Sequence, residues 1–270
     1  MLDLPTPAPL VEGFCVRITI DDQAQTLEIA TDSAVERLPL YSDQSFGHIA
    51  RLFAKVGWNQ RYTYGFTWLG RPIIQLPEDM IRIQELIYRL KPDVIVETGI
   101  AHGGSLVFYA TLCAAMDHGR VIGVDIDIRK HNRAAIEAHP LAGRITMIEG
   151  SSIDSKIVER VAGEIDGAGV VLVILDSNHT RDHVRAELDA YSRFVTPGSY
   201  IVATDGIMEA LTDVPRGKTE WRDNNPAAAA REFADANPAF IIETPPAPFN
   251  EGTLAPDVVT HWPSAYLRRH

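Results

Sequence analysis

The sequence predicts an α/β fold built on a doubly wound, mostly parallel sheet. Three observations predict it. Apolar runs at 94–96, 121–124, 145–148, 170–175 and 200–203 alternate with stretches of helical character at 105–116, 130–138, 155–161 and 181–194. The 170–175 run is apolar throughout, as expected of a strand covered on both faces. Each run ends in glycine or polar residues, at the strand ends where such sheets bind ligands. Strands joined by helices cross over right-handedly and so lie parallel.

The elements follow in chain order. Residues 14–20 and 25–30 alternate apolar and polar around an Asp-Asp-Gln-Ala turn, which reads as a β-hairpin. A short helix at 45–56 completes an N-terminal extension over residues 1–60, with the main domain over 61–270. The stretch 58–70 is rich in aromatics. It is either a packing strap over the core or a lid over a pocket, with Tyr62, Tyr64 and Trp68 as candidates for substrate contact. Pro77 opens a helix over 78–90, with Asp79 facing its N-terminal dipole. Met80, Ile83, Leu86, Ile87 and Leu90 follow helical spacing there. Late in the chain, 212–225 is a long polar loop, 226–236 an Ala-rich helix and 240–242 a short strand.

The central stretch is Val94-Ile95-Val96-Glu97-Thr98-Gly99-Ile100-Ala101-His102-Gly103-Gly104-Ser105. It reads as a buried strand, a tight turn and a helix start. Gly99, Gly103 and Gly104 let the backbone come close to a ligand, and Ser105 can cap the new helix. The loop lacks the G-x-G-x-x-G spacing of a dinucleotide site. Glu97 is a poor neighbour for a pyrophosphate and suits a cation better. The sulfonium and amino groups of S-adenosylmethionine (SAM) are such a ligand, ahead of a nucleotide phosphate or a purely structural turn.

The other strand ends add chemistry. The second gives Asp125 and Asp127, an acidic pair where a ribose diol binds. The third gives Ser151 and Ser152, which can edge an adenine, while Ser152 or Asp154 can instead cap a helix. The fourth gives Asp176 and, three residues on, His179. The fifth gives Thr204 and Asp205. Asp176 and Asp205 thus fall on adjacent strand ends, where two carboxylates suit a hard divalent ion such as Mg²⁺.

Composition bounds the rest. The chain has 270 residues, 46% hydrophobic and 23% charged, which is ordinary for a globular protein. A net charge of −11 and a pI near 5.2 argue against nucleic acid as a partner. The two cysteines, Cys15 and Cys113, fit no metal spacing, and Cys113 reads as a buried free thiol. No signal-peptide pattern and no membrane-length apolar run are present, so a cytoplasmic protein without membrane contact is the expectation.

With these residues assembled, the chain resembles the cephalosporin hydroxylase / rhamnosyl O-methyltransferase family of class I, Rossmann-like, SAM- and Mg²⁺-dependent enzymes. The resemblance runs from about Tyr62 to Phe240. It rests on Tyr-Thr-Tyr and Trp-Leu-Gly-Arg-Pro-Ile-Ile-Gln-Leu-Pro-Glu-Asp-Met within 62–80, and on the Glu-Thr-Gly…His-Gly-Gly-Ser-Leu stretch at 97–106. Gly-Val-Asp-Ile-Asp with His-Asn (123–132), Glu-Gly-Ser-Ser-Ile-Asp (149–154) and Leu-Asp-Ser-Asn-His-Thr (175–180) extend it. Thr-Pro-Gly-Ser-Tyr (196–200) and Asn-Asn-Pro (224–226) complete it.

The resemblance implies an O-methyltransferase acting on a sugar or glycosylated natural product. It implies that Glu97, the glycine loop with His102 and Ser105, Asp125 with Asp127, Ser151, Ser152 and Asp176 hold SAM. It further implies that Asp176 and Asp205 ligate Mg²⁺, that His179 is the general base, and that the protein is a homo-oligomer. The family usually carries an acidic or amide side chain where Thr204 stands, so threonine is a neutral, weaker ligand there. Two other readings compete: a component of a hydroxylase pathway and a non-catalytic SAM-binding partner. No facial triad of two histidines and a carboxylate supports an oxygenase.

Overall fold

A computed structural model describes residues 17–270. The chain divides into two compact units, one ending at Leu52 and one beginning at Phe53. In the first, β1 (Arg17–Asp21) and β2 (Thr26–Ala30) form the expected antiparallel hairpin; residues 14–16 of that reading lie outside the described residues. The Asp21 carboxylate accepts from the Ala24 amide at 2.7 Å and closes the turn. A third strand, β3 (Val35–Pro39), pairs with β2 and was not legible in the sequence. It is a mostly exposed edge strand, so no alternation marks it. Helix α1 (Asp43–Asn59) runs past the division between the units.

In the second unit the aromatic stretch folds as a 3₁₀ turn (Tyr62–Gly65) and a small hairpin of β4 (Thr67–Trp68) and β5 (Arg71–Pro72). Then come α2 (Pro77–Leu90), β6 (Val94–Thr98), α3 (Gly104–Ala115), β7 (Arg120–Asp125), α4 (Lys130–Glu137), β8 (Ile145–Glu149), α5 (Ser155–Ile165) and β9 (Val171–Leu175). The chain continues through α6 (Arg181–Tyr191), β10 (Tyr200–Ala203), α7 (Pro226–Ala236), β11 (Phe240–Ile242) and β12 (Tyr266–Arg269).

The sheet runs β11-β12-β10-β9-β6-β7-β8. The pairs among β8, β7, β6, β9 and β10 are parallel, and β12 is antiparallel to both its neighbours. The fold is therefore a doubly wound α/β sheet with one reversed strand. Period-two alternation splits the core between the two faces. Ile95, Leu172, Ile174 and Val202 pack under α2 and α3 with Ile83, Leu86 and Phe108. Val94, Val96, Val173 and Ile201 pack under α5, α6 and α7 with Val161, Leu188 and Phe233. Each such side chain contributes about 1.5–3 kcal/mol on burial. Cys113 is buried and unpaired, as expected.

The order reverses at β6, which sends its crossover toward β7 while β9 lies on its other side. That switch point opens a crevice at the carboxyl ends of β6 and β9. Asp79 lies in the first turn of α2 as expected, and it also has distant partners. It is 2% exposed, and its carboxylate accepts from the Thr260 hydroxyl (2.5 Å) and the His261 amide (2.8 Å). It ties α2 to the segment before β12.

Candidate functional site

The glycine loop leaves β6 at this switch point. Gly99 has φ +93°, and a side chain there would collide with the Asp176 carbonyl oxygen. The Gly99 amide donates to the Val124 carbonyl at 2.7 Å, and the Asp176 amide to the Thr98 carbonyl at 2.8 Å. The loop is thus stitched to both neighbouring strands, and only glycine fits the contact with Asp176. A small cavity opens beside it, lined by Gln75, Gly99, His102, Gly104, Ser105 and Asp176 among others.

Glu97 is fully buried at this point. Its Oε2 accepts from the Ser105 hydroxyl at 2.6 Å, and the buried Tyr109 hydroxyl also supports the carboxyl. Ser105 therefore serves Glu97 and does not cap α3, whose N-terminus carries no side-chain cap. Burial first, and the nearby Asp176 charge second, push the Glu97 carboxyl well above its usual range.

Asp125 fixes the loop. Its Oδ2 accepts from the Ile100 and Ala101 amides (2.8 and 3.2 Å), and its Oδ1 from the Asp127 amide (3.1 Å). Asp127 stays exposed. Two residues that the sequence left without a role complete the support. The Arg71 guanidinium donates to the His102 carbonyl (3.0 Å from Nε) and to Asn132 Oδ1 (2.9 Å). Asn132 in turn donates to the Ala101 carbonyl at 2.8 Å. Both lie inside stretches that carried the family resemblance, which was the signal available for them.

Of the third-strand residues, Ser152 is buried and Ser151 half-buried. The Ser152 hydroxyl lies 3.3 Å from His183 Nε2, and the Ser177 hydroxyl lies 3.2 Å from the same nitrogen. Ser177 donates to the buried Glu187 at 2.7 Å. Asp154, the alternative cap, does cap α5 through the Lys156 amide at 2.8 Å.

Asp176, His179 and Asp205 come together. One donor atom from each lies within 4.8 Å of the other two, the only such group of three or more among the described residues. His179 Nε2 stands 3.4 Å from Asp205 Oδ2. Asp205 adopts the left-handed region (φ 59°). Burial, then the Asp205 charge, raise the Asp176 carboxyl to about 7. Thr204 is fully buried and stands outside the group; its hydroxyl donates to Asp176 Oδ1 at 2.7 Å.

The aromatic candidates divide. Trp68 is committed to packing: its Nε1 donates to Thr111 at 3.1 Å and its ring meets Phe108 edge-on at 4.9 Å. Tyr62 packs edge-on between Phe53 and Phe66 but stays partly exposed, and Tyr64 is exposed beneath the Arg61 guanidinium. The polar loop 212–225 is held by Trp221, which meets Trp58 edge-on at 5.4 Å, and by Asn225, which caps α7.

With this geometry established, the comparison with known proteins decides the family. The family described as Rhamnosyl O-methyltransferase/CmcI matches residues 60–270. This chain belongs to that family. Rhamnosyl O-methyltransferase of Mycobacterium leprae (strain TN) is 29% identical over 152 residues, 56% of this chain and 64% of that protein. The protein of the same name from Mycobacterium tuberculosis (strain ATCC 25618 / H37Rv) is 29% identical over 143 residues, 52% of this chain and 56% of that protein. The matches thus span only part of these relatives' length. Among solved structures, "cmcI-D160 Mg-SAM" superposes with TM-score 0.52 at 18% identity over 77% of each chain. "CmcI-N160 apo-structure" gives 0.50 at 19% over 76% of each. These likenesses establish the class I methyltransferase fold for this member of the Rhamnosyl O-methyltransferase/CmcI family. Among the described residues no helix is long and apolar enough to cross a membrane.

Proposed function

We propose that the protein is a SAM-dependent O-methyltransferase that methylates a hydroxyl of a sugar or glycosylated natural product, assisted by a divalent ion. The observation that carries this reading is Glu97 beside the glycine loop: a fully buried carboxyl supported by the Ser105 and Tyr109 hydroxyls, with the Asp176 charge nearby. Burial and Asp176 hold that carboxyl toward its neutral form, and a cationic ligand in the adjoining cavity would favour its ionised form. The amino group and sulfonium of SAM fit that requirement, and a phosphate does not. The names of the mycobacterial relatives favour a rhamnosyl acceptor.

SAM would be held by Glu97, the 99–105 loop and the acidic residues after β7. Asp125 is already committed to loop amides, so Asp127 is the freer of the two for a ribose diol. Ser151 and Ser152 would edge the adenine. The Asp176 and Asp205 carboxylates would hold Mg²⁺, and the structural relative "cmcI-D160 Mg-SAM" supports that choice of ion. Bound there, the ion would supply Lewis-acid polarisation of the acceptor hydroxyl. His179 accepts the hydroxyl proton. Held there, SAM would supply the methyl group to the acceptor oxygen and depart as S-adenosylhomocysteine, with the hydroxyl proton left on His179. Tyr62 and Tyr64 are the remaining candidates for acceptor contact. In this reading the main domain spans 61–270 and the protein assembles as a homo-oligomer.

Calorimetric titration of SAM, followed by methyl transfer to a panel of rhamnosides, tests it. The wild type is expected to bind SAM and to methylate at least one rhamnoside. His179→Ala is expected to retain SAM affinity and lose turnover. A protein that binds no SAM overturns the reading, and unchanged turnover in His179→Ala removes that residue from the chemistry.

A further inference from the structure

The donor group at the end of β9 and β10 contains one nitrogen. Thr204, the residue between Ala203 and Asp205, contributes nothing further because its hydroxyl is buried and turned to Asp176. The donors are two carboxylates and one imidazole, all within 4.8 Å of one another. Around an ion with bond lengths of about 2.0–2.2 Å, neighbouring donors stand ~3–3.5 Å apart and opposite donors ~4–4.4 Å. The 3.4 Å between His179 Nε2 and Asp205 Oδ2 lies in the first range. Both side chains are about one-third exposed.

The ion decides what this set does. Mg²⁺ takes oxygen donors, keeps several waters and leaves an imidazole aside. Zn²⁺, Co²⁺ and Ni²⁺ take imidazole readily and bind mixed nitrogen and oxygen sets more tightly. The nitrogen lone pair that would accept the acceptor's proton is the same lone pair that would bind such an ion.

We propose that Asp176, His179 and Asp205 form a binding site for a borderline transition ion, and that this ion excludes Mg²⁺ and silences His179. The inference rests on the functional reading above and deepens it. The site has two states set by ion identity: with Mg²⁺ the imidazole is free to take a proton, and with Zn²⁺ or Co²⁺ it is a ligand. Transition ions then inhibit by competing with Mg²⁺, however well SAM binds.

The test uses the full chain, stripped of metal, as wild type, His179→Gln and Asp205→Asn. Zn²⁺ affinity is measured by competition with a chromogenic chelator, Co²⁺ by its visible absorption, and Mg²⁺ by calorimetry. The expected result is a Zn²⁺ affinity reduced more than about tenfold in His179→Gln, with the Co²⁺ spectrum altered and Mg²⁺ affinity unchanged within about twofold. Asp205→Asn should weaken both ions, and Zn²⁺ should displace Mg²⁺ from the wild type. Zn²⁺ affinity indifferent to His179, or Mg²⁺ and Zn²⁺ lost in equal measure in His179→Gln, overturns the proposal. A parallel SAM titration keeps the two readings apart. Loss of SAM binding in every form defeats the methyltransferase reading, whereas a His179-independent Zn²⁺ site in a SAM-binding protein defeats only this one.

Discussion

The Thr204 hydroxyl gives its proton to Asp176 Oδ1 at 2.7 Å, although the Leu175 carbonyl lies within reach at 3.0 Å. A hydroxyl has one proton, and the charged acceptor at the shorter distance takes it. Threonine at this position therefore does not copy an acidic ligand. It steadies the neighbouring carboxylate, whose pKa is already raised to about 7 by burial and by Asp205.

Thr204→Val keeps the shape and removes the donor. The Asp176 carboxylate then loses its charge-assisted hydrogen bond, and its pKa rises further. Mg²⁺ affinity at pH 7 is expected to fall by about tenfold, the effect of one hydrogen bond to a charged group. Thr204→Ser should restore most of it. A valine variant that titrates with Mg²⁺ like the wild type would show that the bond does not matter to the ion.

The Arg71–Asn132 clamp supplies a second prediction. The planar guanidinium reaches a backbone carbonyl and a side-chain amide at once, and a lysine ammonium does not reproduce that fork. Arg71→Lys should weaken SAM binding by roughly tenfold through a loosened loop. Asn132→Ala should do the same, and because both act on one loop the double variant should lose less than the product of the two. Full additivity in calorimetry would show that they work separately.

Much of this arrangement was legible in the sequence. The strands beneath the site are short apolar runs with no competing pattern, and the residues that end them carry the chemistry, so the sequence alone puts Asp176, His179 and Asp205 on neighbouring strand ends. What stayed hidden depends on distant partners or on weak patterns. Asp79 is a first-turn acid, but its tie to partners 181 and 182 residues away cannot be read from the sequence. Strand β12 (Tyr266-Leu267-Arg268-Arg269) is short and half polar, yet it fills the slot between β10 and β11. Ser105 has the spacing of a cap, and the buried Glu97 oxygen takes its proton ahead of the helix end.

Two glycines predict opposite outcomes. Gly99→Ala places a methyl group on the Asp176 carbonyl in a positive-φ residue. The loss should be about 3 kcal/mol or more, visible in urea unfolding, with SAM binding lost as well. Gly163 lies within α5 with open space where a Cβ would stand. Gly163→Ala should stabilise by roughly 0.5–1 kcal/mol. A destabilised Gly163→Ala would mean that this helix is strained in a way its surroundings do not reveal.

The last prediction concerns pH. Burial above all raises the Asp79 carboxyl to about 7, against hydrogen bonds from Thr260 and His261 that lower it, and the Asp205 charge adds to the rise. In the unfolded chain the same carboxyl titrates near 4. Between these values the folded state binds more protons than the unfolded one, so the contribution of this group to stability falls as pH rises from about 4 to 7. Asp176, raised by burial and by Asp205, acts in the same direction. Both groups should therefore lower the Tm of the metal-free wild type between pH 5 and pH 7.5. The slope also carries every other acidic group, so the decisive quantity is the difference from Asp79→Asn. The asparagine stays neutral and cannot incur the cost of ionising. The variant's Tm relative to wild type should therefore rise as pH is taken from 5 to 8. A relative Tm that stays flat across that window would mean that Asp79 titrates in the folded protein as it does in the unfolded chain.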